Sequence, residues 1–191
     1  MPTYDVVIRN AMIYDGDGGV PVAGDLAITG DTIAAIGTVG DANGKTEIDA
    51  QGMAVAPGFI NMLSHTQISL LVDGRSQSDI RQGVTLEVLG EGMAAMGPLN
   101  DAMKAERRTQ PGDLHYDVAW TTLGEYLDYV TSRGIACNVA SFTSAATVRV
   151  HTLGYASRAP TRAELEQMRA LVRQALQEGA LGMSSSLIYA P

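Results

Sequence analysis

The chain has 191 residues, of which 46% are hydrophobic, and its formal net charge at pH 7 is −8. That apolar content is enough for a sizeable buried core and argues against an intrinsically disordered chain. The acidic balance argues against nucleic acid or an anionic membrane surface as the binding partner.

Cysteine usage and the N-terminus indicate the cell compartment. Cys137 is the single cysteine, so an internal disulfide cannot form, and a reducing cytosol is the expected environment. The opening MPTYDVVIRN lacks the basic and apolar regions of a secretory signal. No apolar run approaches the roughly 20 residues that a membrane-spanning helix needs. The sequence therefore predicts a cytoplasmic protein without a membrane segment.

Short β-rich runs fill the first third of the chain. Residues 5–9 (DVVIR) and 11–15 (AMIYD) are predicted strands on either side of Asn10. Residues 25–29 and 32–36 flank a Gly-Asp pair, which is a hairpin signal because glycine supplies the positive φ of a tight turn. We predict a small antiparallel β module for this part of the chain.

Strand and helix patterns alternate after residue 56. Four apolar runs are predicted to be buried strands: 59–63, 83–89, 135–142 and 180–183. Three segments have the pattern of a helix: 99–107, 123–133 and 162–178. The last two helices begin with the capping-box pairs Thr122 with Glu125 and Thr161 with Glu164, and a glycine follows each of them. Strands that alternate with helices at this spacing indicate βαβ units around a parallel sheet.

The length of this second part limits its architecture. A closed (β/α)8 barrel needs roughly 250 residues, and residues 57–191 hold about four β/α units. We therefore predict the truncated first half of a (β/α)8 TIM-type barrel. Because barrels place their sites at the C-terminal ends of the strands, four segments are candidates for the site: 61–66, 90–92, 143–149 and 184–189.

Several stretches resemble one enzyme family. They are DVVIRNAMIYDGDG, IDAQGMAVAPGFIN, RQGVTLEVLGEGMAAMGPLN and RAPTRAELEQMRALVRQALQEGALGMSSSLIYAP. The chain resembles the amidohydrolase superfamily and, more narrowly, the N-terminal portion of the D-aminoacylase (N-acyl-D-amino-acid deacylase) family. The resemblance implies a small β-sandwich module over residues 1–56 and a partial β/α barrel over residues 57–191. It also implies hydrolysis assisted by one or two zinc ions, in which the metal polarises an amide carbonyl and activates a water molecule.

The sequence departs from the family's metal motifs at three positions. The family's first strand ends in Asp-x-His-x-His, whereas this chain reads NMLSH, with Leu63 at the first histidine position and His65 at the second. Gly92 stands where the family has a cysteine after the second strand, and Ala145 where it has a histidine after the third. The family's later metal histidines and its catalytic aspartate would come from strands beyond residue 191.

Four residues are the predicted site, and each has an alternative role. His65 is either a metal ligand or a hydrogen-bonded structural residue. Glu91, between two glycines that indicate a close backbone approach, either replaces the missing cysteine ligand or caps a helix. Tyr189 matches the family's Tyr-x-Pro and either contacts substrate or packs under a loop. Arg149 either binds a substrate carboxylate or forms a structural ion pair.

Three functional hypotheses follow. The first is the N-terminal part of a metal-dependent amidohydrolase that converts a linear amide, an N-acyl-D-amino acid, to a carboxylate and an amine. The second is a non-catalytic half-barrel that oligomerises or needs a complementing chain, because open sheet edges are rarely left exposed. The third is a cyclic-amide hydrolase of the hydantoinase or dihydroorotase type. Leu63 counts against the third, because such an enzyme would be expected to keep both first-strand histidines.

Overall fold

A computed structural model describes residues 4–92, 96–109 and 116–186. The chain divides into two compact units, Met1–Pro57 and Gly58–Pro191. Tyr189, one of the four predicted site residues, lies outside the described residues.

The first unit contains one five-stranded sheet in the order β3-β2-β1-β4, with β5 also paired to β1. Its strands are β1 (Tyr4–Ile13), β2 (Val22–Thr29), β3 (Thr32–Gly37), β4 (Gly44–Asp49) and β5 (Ala54–Val55). The predicted hairpin is confirmed, since β2 runs antiparallel to β3. The purely antiparallel module is wrong, because β4 and β5 run parallel to β1. Residues 4–57 form a single sheet, so the predicted β-sandwich is not confirmed.

Asn10 lies inside β1 rather than between two strands. Its φ is +55°, and the pairing with β2 shifts register between Ile8 and Ala11, which makes this position a β-bulge. Asparagine tolerates the left-handed region better than most residues. Its side-chain amide donates to Oδ1 of Asp49 at 3.0 Å, and its backbone N–H donates to Oδ1 of Asp25 at 3.1 Å. These bonds hold the bulge between the two neighbouring strands.

The strands of the second unit are parallel and follow one another in chain order. β6 (Phe59–Asn61), β7 (Val84–Leu89) and β8 (Asn138–Ser141) form one sheet, and β9 (Thr143–Ser144) pairs with β10 (Met183–Ser184). Phe142 alone separates β8 from β9, and its N–H donates to the carbonyl of Leu89 at 2.9 Å. The predicted parallel direction is therefore confirmed. The described residues form five strands where four were predicted, because β9 follows β8 as a separate short strand, and most strands are shorter than predicted.

Six helices are described in the second unit: α1 (Ser69–Val72), α2 (Gln77–Ile80), α3 (Asp101–Thr109), α4 (Leu123–Ser132), α5 (Ala145–Leu153) and α6 (Arg162–Gln177). The three predicted helices are α3, α4 and α6, and both predicted capping boxes are formed. Helix α5 was not among the predicted helices, because its threonine and valines favour a strand pattern. In the part of the chain that the structure covers, no helix is long and apolar enough to span a membrane.

The core of the second unit forms around Trp120. Its ring makes an edge-on contact with Tyr126, at 5.2 Å between ring centroids, and a tilted contact with Tyr129 at 5.3 Å. Leu123, Tyr126 and Val130 are the buried residues of α4 and fall on one face of that helix. Leu89 of β7 belongs to the same buried cluster. The face of β7 that carries Leu89 is therefore packed against the helices.

Candidate site at the ends of the parallel strands

His65 and Glu91 lie side by side at the C-terminal ends of two neighbouring strands. His65 follows β6, Glu91 follows β7, and Nε2 of the histidine is 3.6 Å from Oε2 of the glutamate. The two side chains are 66% and 42% exposed. The sequence singled out both residues because each follows a strand. The structure brings them together because parallel strands end at the same edge of the sheet.

Gly90 shapes the turn that carries Glu91. Its φ is +102°, and a Cβ at this position would collide with the carbonyl oxygen of Phe142. Only glycine combines this backbone angle with so close an approach. The carbonyl of Gly90 accepts a hydrogen bond from Ser184, and the carbonyl of Gly92 accepts one from Ser144. The turn around Glu91 is thus fixed to the ends of β9 and β10.

A buried carboxylate accepts hydrogen bonds from the residues on either side of His65. Glu87 of β7 has no exposed surface, and its Oε2 accepts hydrogen bonds from the hydroxyls of Ser64, at 3.0 Å, and Thr66. Its Oε1 is buried and has no hydrogen-bond partner among the described residues. The sequence reasoning missed Glu87. The available signal was a charged residue in the middle of the apolar run GVTLEVL.

Tyr126 contacts Gln67, in the loop between β6 and α1 that also contains Ser64 and Thr66. Its hydroxyl donates to the carbonyl of Gln67 at 2.8 Å. Burial raises the pKa of Tyr126 well above its ordinary value, and the nearby charge of Glu87 raises this pKa further. The tyrosine hydroxyl therefore stays protonated over the whole physiological range and remains a donor to the loop.

Arg149 lies on α5, and its described hydrogen bonds are local. Its Nη2 donates to the carbonyls of Ala156, at 2.9 Å, and Arg158, at 2.7 Å. None of these bonds reaches His65 or Glu91. Arg149 therefore holds the loop that follows its own helix.

The His65–Glu91 pair has the donor chemistry of a zinc site but too few ligands. Imidazole nitrogen and carboxylate oxygen are both common zinc donors, and a catalytic zinc takes three protein ligands and leaves a position open. Residues 4–92, 96–109 and 116–186 contain no group of three or more His, Cys, Asp or Glu side chains placed to hold a metal ion. Leu63, Gly92 and Ala145, which stand where the family has metal ligands, supply no donor side chain. A metal bound here would need further ligands from elsewhere.

The second unit is an α/β structure, because its consecutive parallel strands are joined by helices. Polar side chains lie beyond the ends of these strands, which is where (β/α)8 enzymes build their sites.

No protein-family model matches the chain. It is 35% identical to the N-acyl-D-aspartate deacylase of Alcaligenes xylosoxydans xylosoxydans over 190 residues, which cover 98% of this chain and 37% of that protein. It is 31% identical to the D-aminoacylase of the same organism over 191 residues, which cover 98% of this chain and 39% of that protein.

A solved structure gives the same relationship. The N-acyl-D-glutamate deacylase from Bordetella bronchiseptica, crystallised with zinc and a phosphonate inhibitor, matches with a TM-score of 0.85 and 27% identity. The match covers 100% of this chain and 40% of that one. The chain is therefore a homologue of the D-aminoacylase group of amidohydrolases over nearly all of its length. It spans about two fifths of the length of these relatives, consistent with an N-terminal portion.

Proposed function

We propose that this chain is the N-terminal part of a metal-dependent amidohydrolase that hydrolyses an N-acyl-D-amino acid to a carboxylate and a free amine. The observation that carries the proposal is the similarity to N-acyl-D-aspartate deacylase over 98% of the chain. The position of His65 and Glu91 supports it, because both lie where barrel enzymes place their ligands.

We propose further that β6 to β10 and their helices are the first half of a (β/α)8 barrel, with residues 1–56 as a separate β module. The order of the parallel strands supports this proposal, as does the TM-score of 0.85 with a zinc-containing deacylase.

His65 and Glu91 are the proposed metal ligands, and the proposed cofactor is one or two zinc ions. A bound zinc ion would polarise the amide carbonyl and lower the pKa of a water molecule. The two side chains would contribute one nitrogen and one oxygen from neighbouring strand ends. The solvent exposure of both side chains leaves room for ligands from other segments.

Tyr189 and Arg149 are the proposed substrate contacts, by the family resemblance for the first and by guanidinium chemistry for the second. A substitution tests Arg149. If it binds the substrate carboxylate, Arg149→Met raises KM and leaves kcat little changed. If Arg149 only donates hydrogen bonds to its two carbonyl acceptors, the substitution lowers the stability of the protein and leaves KM unchanged.

The half-barrel that needs a complementing chain is the second candidate. Phe59 and Ile60 support it, because these apolar side chains of β6 are more than half exposed. Native mass spectrometry of the protein from its own source separates the two proposals. A metal-free monomer near 20.1 kDa would contradict both. A larger assembly in which a second polypeptide accompanies this one would support the complementing chain.

Activity of the full-length protein tests the main proposal. We expect amine release from N-acetyl-D-aspartate, N-acetyl-D-glutamate or N-acetyl-D-leucine and none from the L enantiomers. Hydrolysis of hydantoin or dihydroorotate in their place would establish the cyclic-amide alternative.

Two histidine variants test the metal. We expect His65→Ala to lower zinc content and activity together. The matched control is His151→Ala, which removes a histidine of α5 and should leave zinc content unchanged. If His65→Ala retains the zinc and the activity of the wild type, His65 is a structural residue.

A further inference from the structure

Glu87 is a buried charged residue for which the proposed function has no use. Side chains alternate along a strand, so Glu87 shares a face of β7 with Leu89, which packs into the core of the second unit. A carboxylate in such a place is strongly unfavourable unless hydrogen bonds compensate for its lost hydration. The hydrogen bonds that compensate for the burial of Glu87 therefore indicate what this residue does.

The hydrogen bonds that Glu87 accepts come from one short loop. Ser64 and Thr66 both donate their hydroxyls to its Oε2. The backbone N–H of Ser64 also donates to the carbonyl of Val88, at 3.0 Å, and the N–H of Thr66 donates to Oγ of Ser64, at 3.3 Å. Both neighbours of His65 are therefore tied to β7.

The same strand holds the loop and leads to the partner of His65. Glu87 lies within β7, and Glu91 follows two residues after its end. A shift of residues 64–66 relative to β7 would change the 3.6 Å separation between Nε2 of His65 and Oε2 of Glu91. The two carboxylates, four residues apart, thus contact the same loop, Glu87 through Ser64 and Thr66 and Glu91 through His65.

We propose that Glu87 is a positioning residue that holds Ser64 and Thr66 so that His65 is presented beside Glu91. The proposal rests on the proposed function, in which His65 is a metal ligand. In this proposal Glu87 fixes the position of His65 before a metal binds, because it holds the residues on either side of the histidine. Groups that orient metal ligands commonly change metal affinity by about 10- to 100-fold when they are removed.

Zinc affinity of the full-length protein, measured by competition with a chromophoric chelator, tests this proposal. Glu87→Leu keeps the side chain's approximate volume but removes the acceptor, and we expect zinc to bind about tenfold more weakly. Glu87→Gln keeps an oxygen that accepts from Ser64 and Thr66, and we expect it to restore most of the lost affinity. If the glutamine variant loses as much affinity as the leucine variant, the hydrogen bonds are not the cause.

The background His65→Ala distinguishes a positioning role from a general structural role. If Glu87 acts through His65, adding Glu87→Leu to His65→Ala leaves the remaining zinc affinity unchanged. An equal loss in both backgrounds would show that Glu87 supports the fold as a whole, and would overturn the proposal.

Hydrogen–deuterium exchange gives a readout that does not depend on zinc or activity. We expect Glu87→Leu to speed amide exchange at residues 64–66 and to leave the strands of the first unit unchanged. If the wild-type protein neither binds zinc nor hydrolyses N-acyl-D-amino acids, the proposed function fails, and the exchange result alone decides whether Glu87 holds the loop. Unchanged exchange at residues 64–66 would overturn the proposal.

If the Glu87→Leu variant does not fold, Thr66→Val replaces it in the test. This substitution removes one of the two hydrogen bonds donated to Glu87, and Thr66 is only half-buried. We expect faster exchange in the same loop and a smaller loss of zinc affinity. A variant that matches the wild type in both measurements would overturn the role assigned to Glu87.

Discussion

Ser64 donates its hydroxyl hydrogen to Oε2 of Glu87 across 3.0 Å, and both residues are buried, with exposed fractions of 3% and 0%. The bond joins the loop after β6 to the middle of β7. Loss of the Ser64 hydroxyl would leave Oε2 of Glu87 with the hydroxyl of Thr66 as its remaining described donor.

Ser64→Ala should therefore lower the free energy of unfolding by about 1 kcal/mol, the net contribution of a typical intramolecular hydrogen bond. Ser132→Ala is the matched control, because that serine is exposed and its hydroxyl donates only to the carbonyl of Tyr129, one turn back in α4. The control should stay within about 0.5 kcal/mol of the wild type. Urea denaturation, followed by the fluorescence of Trp120, measures both. Equal effects would mean that the buried bond contributes nothing of its own.

Gly90→Ala should be among the most damaging single substitutions in the second unit. The added Cβ meets the carbonyl of Phe142, and the φ of +102° is unfavourable for alanine. Gly134→Ala is a matched control, because its φ is also positive, at +81°, but the added Cβ meets no atom within 4 Å. We expect the control to lose about 1 kcal/mol, and Gly90→Ala to lose more than about 3 kcal/mol. Similar losses of stability in the two variants would show that the backbone around Gly90 can move to accommodate a methyl group.

Thr161→Ala should destabilise α6 by about 1 kcal/mol, because the threonine side chain caps the N-terminus of this helix. In the structure its hydroxyl accepts the N–H of Glu164 at 3.3 Å. Thr161→Ser keeps the hydroxyl and should retain most of the stability. The midpoints of urea unfolding give the comparison, and a serine variant as unstable as the alanine variant would contradict the capping role.

The pH dependence of stability should show the charge of Glu164. Two hydrogen bonds from Arg158 and the N–H and hydroxyl of Thr161 hold the pKa of this carboxyl well below its ordinary value of 4.5. Because the pKa is lower in the folded protein, the stabilising contribution is fully present above pH 4.5. It is lost as the pH falls from there toward the lowered pKa.

Glu164→Gln provides the comparison for that contribution. Unfolding experiments between pH 7 and pH 3 should show a constant difference between this variant and the wild type above about pH 5. The difference should shrink as the pH falls below the ordinary pKa of 4.5. A difference that does not change with pH would exclude the ionised carboxylate as its source.

Elements with local signals were the ones that the sequence predicted well. Helices α4 and α6 begin at threonines that form capping boxes, and these boxes involve only residues three positions apart. Strand β4 was missed because five of its six residues are exposed and it lacks an apolar alternation. Its place in the sheet comes from pairing with β1, about 40 residues earlier in the chain. Helix α5 was missed because tertiary packing overrides the strand preference of its β-branched residues.

Part of the candidate site could also be predicted from local sequence patterns. His65 and Glu91 each follow a predicted strand, so their place at the sheet edge follows from topology alone. The role of Glu87 could not be predicted, because its partners Ser64 and Thr66 are more than 20 residues away and sit outside any regular pattern. Whether His65 and Glu91 bind metal stays a prediction.

The central position of β1 in the first unit affects how the protein can fold during synthesis. This strand precedes all of its partner strands in the chain, yet its pairing is completed only when Val55 of β5 reaches Ile13. Until β4 and β5 have been synthesised, the edge of β1 that pairs with them is not fully paired and is available to other nascent chains. We therefore expect chaperones to engage this unit while the segment between β1 and β5 is being translated.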